Sequence, residues 1–445
     1  MERRNFLGFM MQALLGGLTA GQPSAASAQV AKGVTGGAPA PAPVRSELPT
    51  ASAPGVSARD IKIGMSAAFK GTAAGLGGEF YRGAQAYYMH VNANGGVHGR
   101  LIGVVALNDG YEPIPCVKNT IELVEKENVF FLSNYVGTPT LTRALPVIKR
   151  YADRDLILVG NFTGAQPQRE APYVEQVFNV RASYRQEMMS LVERFWQLGA
   201  RKFGVYYQID AYGRSGTDGV ARGLAQRGAK IVAEATYPRG AKFEDDVKPA
   251  VAALQKAGAD VVLCTGAYQG CGAFVRTARD ANWHVPISNV SFVGSDAMLG
   301  LLSKSGKASG RDYTRNLVNS QVVPSYDDVS LPGVVEYRAV MDRYNPPVPE
   351  ALRDEKYTAQ KYSFISLEGM VNAKVIVEGL RRVGPQPTRV AFRAALESLR
   401  NLDLGIGAPV TFSSERHQGL DNVYFTRVEN DRWVPVADWS TVTKA

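Results

Sequence analysis

Between residues 60 and 294 the chain alternates short apolar segments with amphipathic ones, and it runs through that alternation twice. In the first series the spacing predicts strands at 60–65, 101–109, 129–134 and 156–160. Helices fall between them at 79–94, 115–127 and 139–151. Phe80, Ala84, Tyr87 or Tyr88, and Val91 recur at helical spacing. The Gly95–Gly96 pair that follows can take the positive φ that ends a helix. Pro139 suits a first helical turn. The segment 156–160 has no polar alternation, as in a parallel strand covered on both faces.

The second series predicts helices at 184–198, 212–227, 243–256 and 269–282. Strands are expected at 202–208, 230–238, 260–266 and 287–294. Two successive series imply an α/β fold of two doubly wound lobes. In such sheets a ligand sits beyond the carboxyl ends of the strands. Helical patterns at 331–344, 363–383 and 388–399 follow. Strand-like pieces at 410–412 and 423–436 come next, the latter turning at Glu429-Asn430-Asp431. These complete the two lobes rather than begin a third domain. A chain of 445 residues is long enough for two cores.

Residues 1–28 read as an export signal. Arg3 and Arg4 are followed by an apolar run to Ala20, then Ala26-Ser27-Ala28 before Gln29. The Arg pair resembles a twin-arginine signal, although an ordinary secretory signal has the same parts. Residues 29–57, rich in Ala, Pro, Gly and Ser, read as an unstructured leader. The mature chain is therefore expected in the periplasm. The net charge of +9 is scattered along the sequence. With no zinc spacing and no aromatic–basic motif, it reads as solvated surface rather than a nucleic-acid footprint.

Signatures of chemistry are weak. Gly75-Leu76-Gly77-Gly78-Glu79-Phe80 begins like a dinucleotide fingerprint and lacks its third glycine. Gly213-Arg214-Ser215-Gly216-Thr217 fails the nucleophile elbow at its last position. The four histidines are dispersed. Cys264 and Cys271 read as buried free thiols, with a disulfide as the alternative. No enzyme, cofactor or metal is expected.

One ordered set of motifs carries more information. Asn92-x-x-Gly95-Gly96-Val97-x-Gly99-Arg100 is preceded by Ile61-Lys62-Ile63-Gly64 and Gly83-Ala84. It is followed by Asn108-Asp109, Gly137-Thr138-Pro139-Thr140 and Asp210-Ala211-Tyr212-Gly213. Gly266-Ala267-Tyr268, Ala278-Arg279-Asp280-Ala281 and Val293-Gly294-Ser295-Asp296 complete the series. In this order the set resembles the leucine/isoleucine/valine-binding proteins of bacterial ABC importers, which are type I periplasmic binding proteins. The resemblance covers residues 58–440. It implies two lobes, 58–180 with 322–406 and 181–321 with 407–440. Three crossovers would join them, near 179–182, 319–324 and 407–411. It also implies a small solute such as an amino acid in the cleft, permease subunits as partners and a monomeric chain. A periplasmic sensing module that reports its ligand to a receptor or histidine kinase is the alternative.

The resemblance places ligand contacts at Leu76, Tyr135, Gly137, Thr138, Phe162, Thr163, Gly164, Tyr212, Tyr268, Asp296 and Tyr362. Free N–H groups and a hydroxyl at Gly137-Thr138 suit a carboxylate, although Thr138 could equally cap the helix. Tyr212 and Tyr268 follow strands of the second lobe. Asp296 matches the acid that pairs with a ligand ammonium, and a helix N-cap is its other reading. Three positions depart from the family pattern. Gly137 replaces a serine, Leu76 an aromatic, and Phe162 a small residue, so the pocket is expected to be reshaped. The family's disulfide is missing, because Tyr111 and Val136 stand at its positions.

Overall fold

The structure, a computed structural model, describes residues 53–442. The export segment and the leader up to residue 52 lie outside the described residues. The leader's last residues are an exception to the sequence reading. Val56 is buried and bridges to Ile61, and the Gly55 carbonyl accepts from the Lys62 N–H at 2.7 Å. An apolar side chain beside the start of an interior strand gains more by packing than its Pro/Gly-rich surroundings would suggest.

The first lobe is built on strand β1 (Asp60–Ala67). It pairs in parallel with β2 (Leu101–Asn108) and, through Gly64, with β3 (Leu132–Ser133). Parallel pairing continues to β4 (Leu158–Val159) and β5 (Val177–Phe178), giving the order β2-β1-β3-β4-β5. Side chains alternate between the faces, as strand geometry requires. Ile157 and Val159 join the core that holds Ile61, Ile63 and Met65, while Leu156 and Leu158 join the other. Helices α2 (Pro113–Glu125) and α3 (Thr138–Arg150) cover that second face. On the first face α1 (Ala74–Ala93) lies against α10 (Phe364–Val383). Glycines set their approach. A Cβ at Gly83 would stand 1.8 Å from the Ser366 carbonyl, and one at Gly369 would stand 2.3 Å from that of Phe80. Helices α9 (Pro332–Tyr344) and α11 (Arg389–Glu397) pack beside this pair.

The second lobe holds a seven-stranded sheet, order β12-β11-β10-β9-β8-β6-β7. Strands β6 (Phe203–Gln208), β7 (Ala233–Tyr237), β8 (Val261–Thr265), β9 (Ile287–Asn289) and β10 (Leu317–Gln321) are parallel. Strands β11 (Tyr424–Glu429) and β12 (Arg432–Pro435) add an antiparallel hairpin. Its turn residues Asn430 and Asp431 both have positive φ, the geometry that matches strand twist in a two-residue loop. The helices are α4 (Tyr184–Gln197), α5 (Ala211–Ala225), α6 (Lys248–Lys256), α7 (Tyr268–Asp280) and α8 (Ser295–Ser309).

Two local expectations are corrected. The helix expected from 243 begins at Lys248, because Asp245 and Asp246 bond the backbone N–H groups of Lys242 and Lys248 and hold a turn there. The strand expected at 287–294 stops at Asn289. A single 3-10 turn follows over Ser291–Val293, fixed by the Glu187 carboxylate on the Ser291 N–H at 2.8 Å. Cys264 and Cys271 are free and buried.

The chain passes from β5 into α4 through residues 179–183, where Ser183 and Gln186 form a capping box. It returns from β10 through 322–331 to α9, and passes again from α11 to β11. The first and third passages run side by side. The Asn179 N–H bonds the His417 carbonyl at 2.7 Å, and the Gly419 N–H bonds the Asn179 carbonyl at 2.8 Å.

Candidate functional site

The loops after β3 and β4 meet those of the second lobe along a closed seam. Phe162 stacks between Phe80, at 4.9 Å, and Phe292, at 4.6 Å between ring centroids. Tyr212 meets Phe292 edge-on at 4.9 Å and Tyr184 at 5.0 Å. Thr138, Phe162, Thr163, Tyr212 and Leu76 are all at most 1% exposed. Phe162 is thus an interlobe core residue, and its bulk closes space that a smaller residue would leave.

Several polar groups of these loops are already bonded within the protein. Gly137 has φ 109°, and its N–H donates to the Phe162 carbonyl at 3.1 Å. Gly137 itself occupies the N-cap of α3, so the Thr138 hydroxyl makes no cap; it bonds the Thr163 hydroxyl at 2.6 Å. The Gly164 carbonyl accepts from the Tyr184 N–H at 2.7 Å, and a Cβ on Gly164 would strike the Tyr184 ring at 2.5 Å. Two of the predicted residues lie elsewhere. Tyr135 points under α2, with its hydroxyl on Thr120 at 3.1 Å. Tyr362 stands at the surface of α9, bonding Asp342 at 2.6 Å and covered by the Arg338 guanidinium at 4.3 Å.

Behind the aromatic seam lies a buried ionic cluster that the sequence did not announce. Arg181, in the first crossing, pairs with Glu187 of the second lobe at 2.9 Å and with Glu368 of the first at 3.3 Å. It also bonds the Ser291 hydroxyl, and its guanidinium lies 5.3 Å from the Phe162 ring and 5.4 Å from that of Tyr184. Ser320, in β10, donates to Glu187 at 2.6 Å. Burial lifts the Glu368 carboxyl to about 7, against the lowering pull of Arg181.

Open space lies on the outer side of the seam. A cavity of about 350 Å³ is walled by Gly75 and Glu79 of the first lobe and by Tyr268, Gln269, Asp296 and Leu301 of the second. Residues 356–365 form its remaining side. The Tyr268 hydroxyl accepts from the Gly75 N–H at 3.4 Å. Asp296, half-buried, accepts from the Tyr326 hydroxyl at 2.8 Å and the Phe364 N–H at 3.0 Å. Burial raises its carboxyl to about 7, only partly offset by those bonds. Among the described residues no cation lies within ion-pair distance of it. Glu79, by contrast, is neutralised by Arg82 at 3.1 Å and bonds the Tyr357 hydroxyl at 2.5 Å. Sequence reading missed Glu79, Gln269, Leu301 and Tyr357. The 346–362 segment that carries Tyr357 has no periodicity, and only the Glu79–Arg82 spacing hinted at a buried pair.

Two parallel-sheet lobes, chain crossings between them and a walled cleft define a two-lobed solute-binding protein. The chain belongs to the periplasmic binding protein family, whose model matches residues 60–432. A leucine/isoleucine/valine-binding protein homolog from Brucella suis is 27% identical over 337 residues, 73% of this chain and 77% of that one. An amino acid binding protein from Pseudomonas aeruginosa is 26% identical over 224 residues, 50% of this chain and little more than half, 58%, of its own length. A crystal structure of a substrate-binding periplasmic protein from Ralstonia solanacearum superposes with a TM-score of 0.72. It has 30% identity and covers 83% of this chain and 98% of that one.

Proposed function

We propose that this protein captures a small solute between its lobes in the periplasm and delivers it to the permease of an ABC importer. The solute is an amino acid or a related small carboxylate or amide. The observation that carries the reading is the interlobe cavity floored by Asp296, a carboxylate with neutral hydrogen-bond partners and, among the described residues, no cation within ion-pair distance. An amine supplied by a solute would complete it. The names of the Brucella and Pseudomonas relatives support the same solute class. Walls from both lobes mean that the full set of contacts exists only when the lobes meet, so solute shifts the population toward closure.

A thermal-shift screen against amino acids, aromatic acids and amides tests this, because binding to the native state raises Tm by mass action. Small-angle scattering with the best hit should show compaction. A hit that raises Tm with no change in radius of gyration, starting from an open solution state, would remove the closure mechanism.

A further inference from the structure

We propose that the solute of this chain sits outboard of the Gly137–Thr138 and Phe162–Gly164 loops, in a two-compartment cavity roofed by residues 353–358, and that it carries an amine and a carboxylate separated by an apolar or aromatic body. This rests on the reading above and gives it a place and a ligand class.

The inner loops are filled by protein side chains. Phe162 is sandwiched by Phe80 and Phe292, and the Arg181 guanidinium fills the gap between Phe162 and Tyr184. The Gly137 N–H and the Thr138 hydroxyl are both consumed within the protein. The free volume begins one layer further out. The cavity of about 350 Å³ adjoins a second of about 650 Å³, and the two share Gly75, Tyr268, Gln269, Leu301, Lys356 and Tyr357 as walls. Each lies within the range of sites that enclose small molecules.

The two compartments differ in charge. In the inner one Glu79 is neutralised by Arg82, and Lys356 stands on the wall shared with the outer one; Asp296, with no cation within ion-pair distance among the described residues, selects an amine at the inner end. Tyr268, Tyr357, Leu301 and Ile365 line its sides and suit an apolar body. Lys70, Lys242, Arg353 and Lys356 surround the outer one, and none of them is ion-paired among the described residues. Of the three acids there, Asp354 is occupied by the Gly71 N–H at 2.8 Å. Four cations against Asp354, Glu244 and Glu355 leave the lining with an excess positive charge, which favours a carboxylate.

The roof is fixed to the first lobe. Arg82 holds the Pro346 carbonyl at 3.0 Å and the Gln360 carbonyl at 2.7 Å, and Glu79 accepts from the Gln360 N–H at 2.8 Å. Gln269, Gly300 and Leu301 reach the cavity from the second lobe, so the site is completed when the lobes meet.

Calorimetry with 4-(aminomethyl)benzoate, benzylamine and leucine tests the proposal on the whole mature chain. A Cβ at Gly300 meets nothing within 4 Å and the residue lies in α8, so Gly300→Trp can fill the inner compartment without straining the backbone. An unchanged circular dichroism spectrum and Tm verify that fold. The expected result is that 4-(aminomethyl)benzoate binds the wild type and binds Gly300→Trp at least about tenfold more weakly. Lys356→Glu, an exposed charge reversal, should weaken 4-(aminomethyl)benzoate about fivefold more than benzylamine, which lacks the carboxylate. Absence of 4-(aminomethyl)benzoate binding to the wild type overturns the ligand class. Leucine binding that is equal in wild type and Gly300→Trp overturns the location, while leaving capture in the cleft standing.

Discussion

The Asp296 carboxylate accepts the backbone N–H of Phe364 at 3.0 Å, so a side chain of the second lobe satisfies the first turn of a helix in the other. Helix α10 already has Ser363 as its N-cap, bonding the Ser366 N–H. Phe364 is the next orphan donor, and its partner comes from across the cleft. Asp296 therefore joins the lobes and floors the cavity at once. Asp296→Ala should lower stability by about 1 kcal/mol, the usual scale of a lost helix cap. Urea denaturation checks this. Asp296→Asn, which keeps an acceptor, should recover most of the loss while still weakening an amine ligand.

Arg181 carries a larger share of the stability. Its removal leaves Glu187 and Glu368 buried without a cation. Arg181→Met should cost about 3–5 kcal/mol, the scale of breaking a buried ion pair from one side. An equilibrium unfolding midpoint within error of the wild type would show that the cluster contributes nothing.

The pH dependence of stability follows from the same acids. Burial raises the carboxyls of Asp109, Asp296 and Glu368, each to about 7. A carboxyl that titrates near 7 when folded and near 4 when unfolded holds its proton more tightly in the folded state. Between about pH 4 and 7 the folded state thus binds more protons, and stability falls as pH rises through that window. Above it these groups add no further slope. Glu368→Gln should flatten the decline measured by urea denaturation at a series of pH values. A variant with the wild-type slope would remove Glu368 from the effect.

At the rim, Arg239 of the second lobe grips both oxygens of Glu112 in the first, at 2.7 and 3.2 Å. Glu112 is exposed and Arg239 partly so, so the pair should add about 1 kcal/mol or less to folding stability. Its effect belongs to the lobe equilibrium. Glu112→Gln should raise the radius of gyration of the solute-free protein at low salt, and 1 M salt should produce the same change in the wild type by screening. Equal radii in all three conditions would exclude a latch.

Gly83 and Gly369 make the tightest helix contact. With a Cβ at Gly83 meeting the Ser366 carbonyl at 1.8 Å, Gly83→Ala must push α1 away from α10. A loss of about 2 kcal/mol or more is expected, read as a fall in Tm. Gly95→Ala probes a different effect, since nothing lies within 4 Å of that position and only its φ of 92° resists the change.

Much was legible in the chain itself. The restarted alternation of strand and helix determined an α/β fold of two lobes, because strand and helix periods write their buried faces into the sequence. The glycines after α1 determined a helix end, because few residues tolerate positive φ. Motif order pointed to the periplasmic binding protein family. Tertiary structure decided the rest. That Phe162 lands between Phe80 and Phe292, that Arg181 gathers acids from both lobes, and that Tyr357 roofs a cavity floored by Asp296 all depend on contacts between separate elements of the chain. Periodicity records which face a side chain presents; it does not record what will stand opposite once the lobes meet.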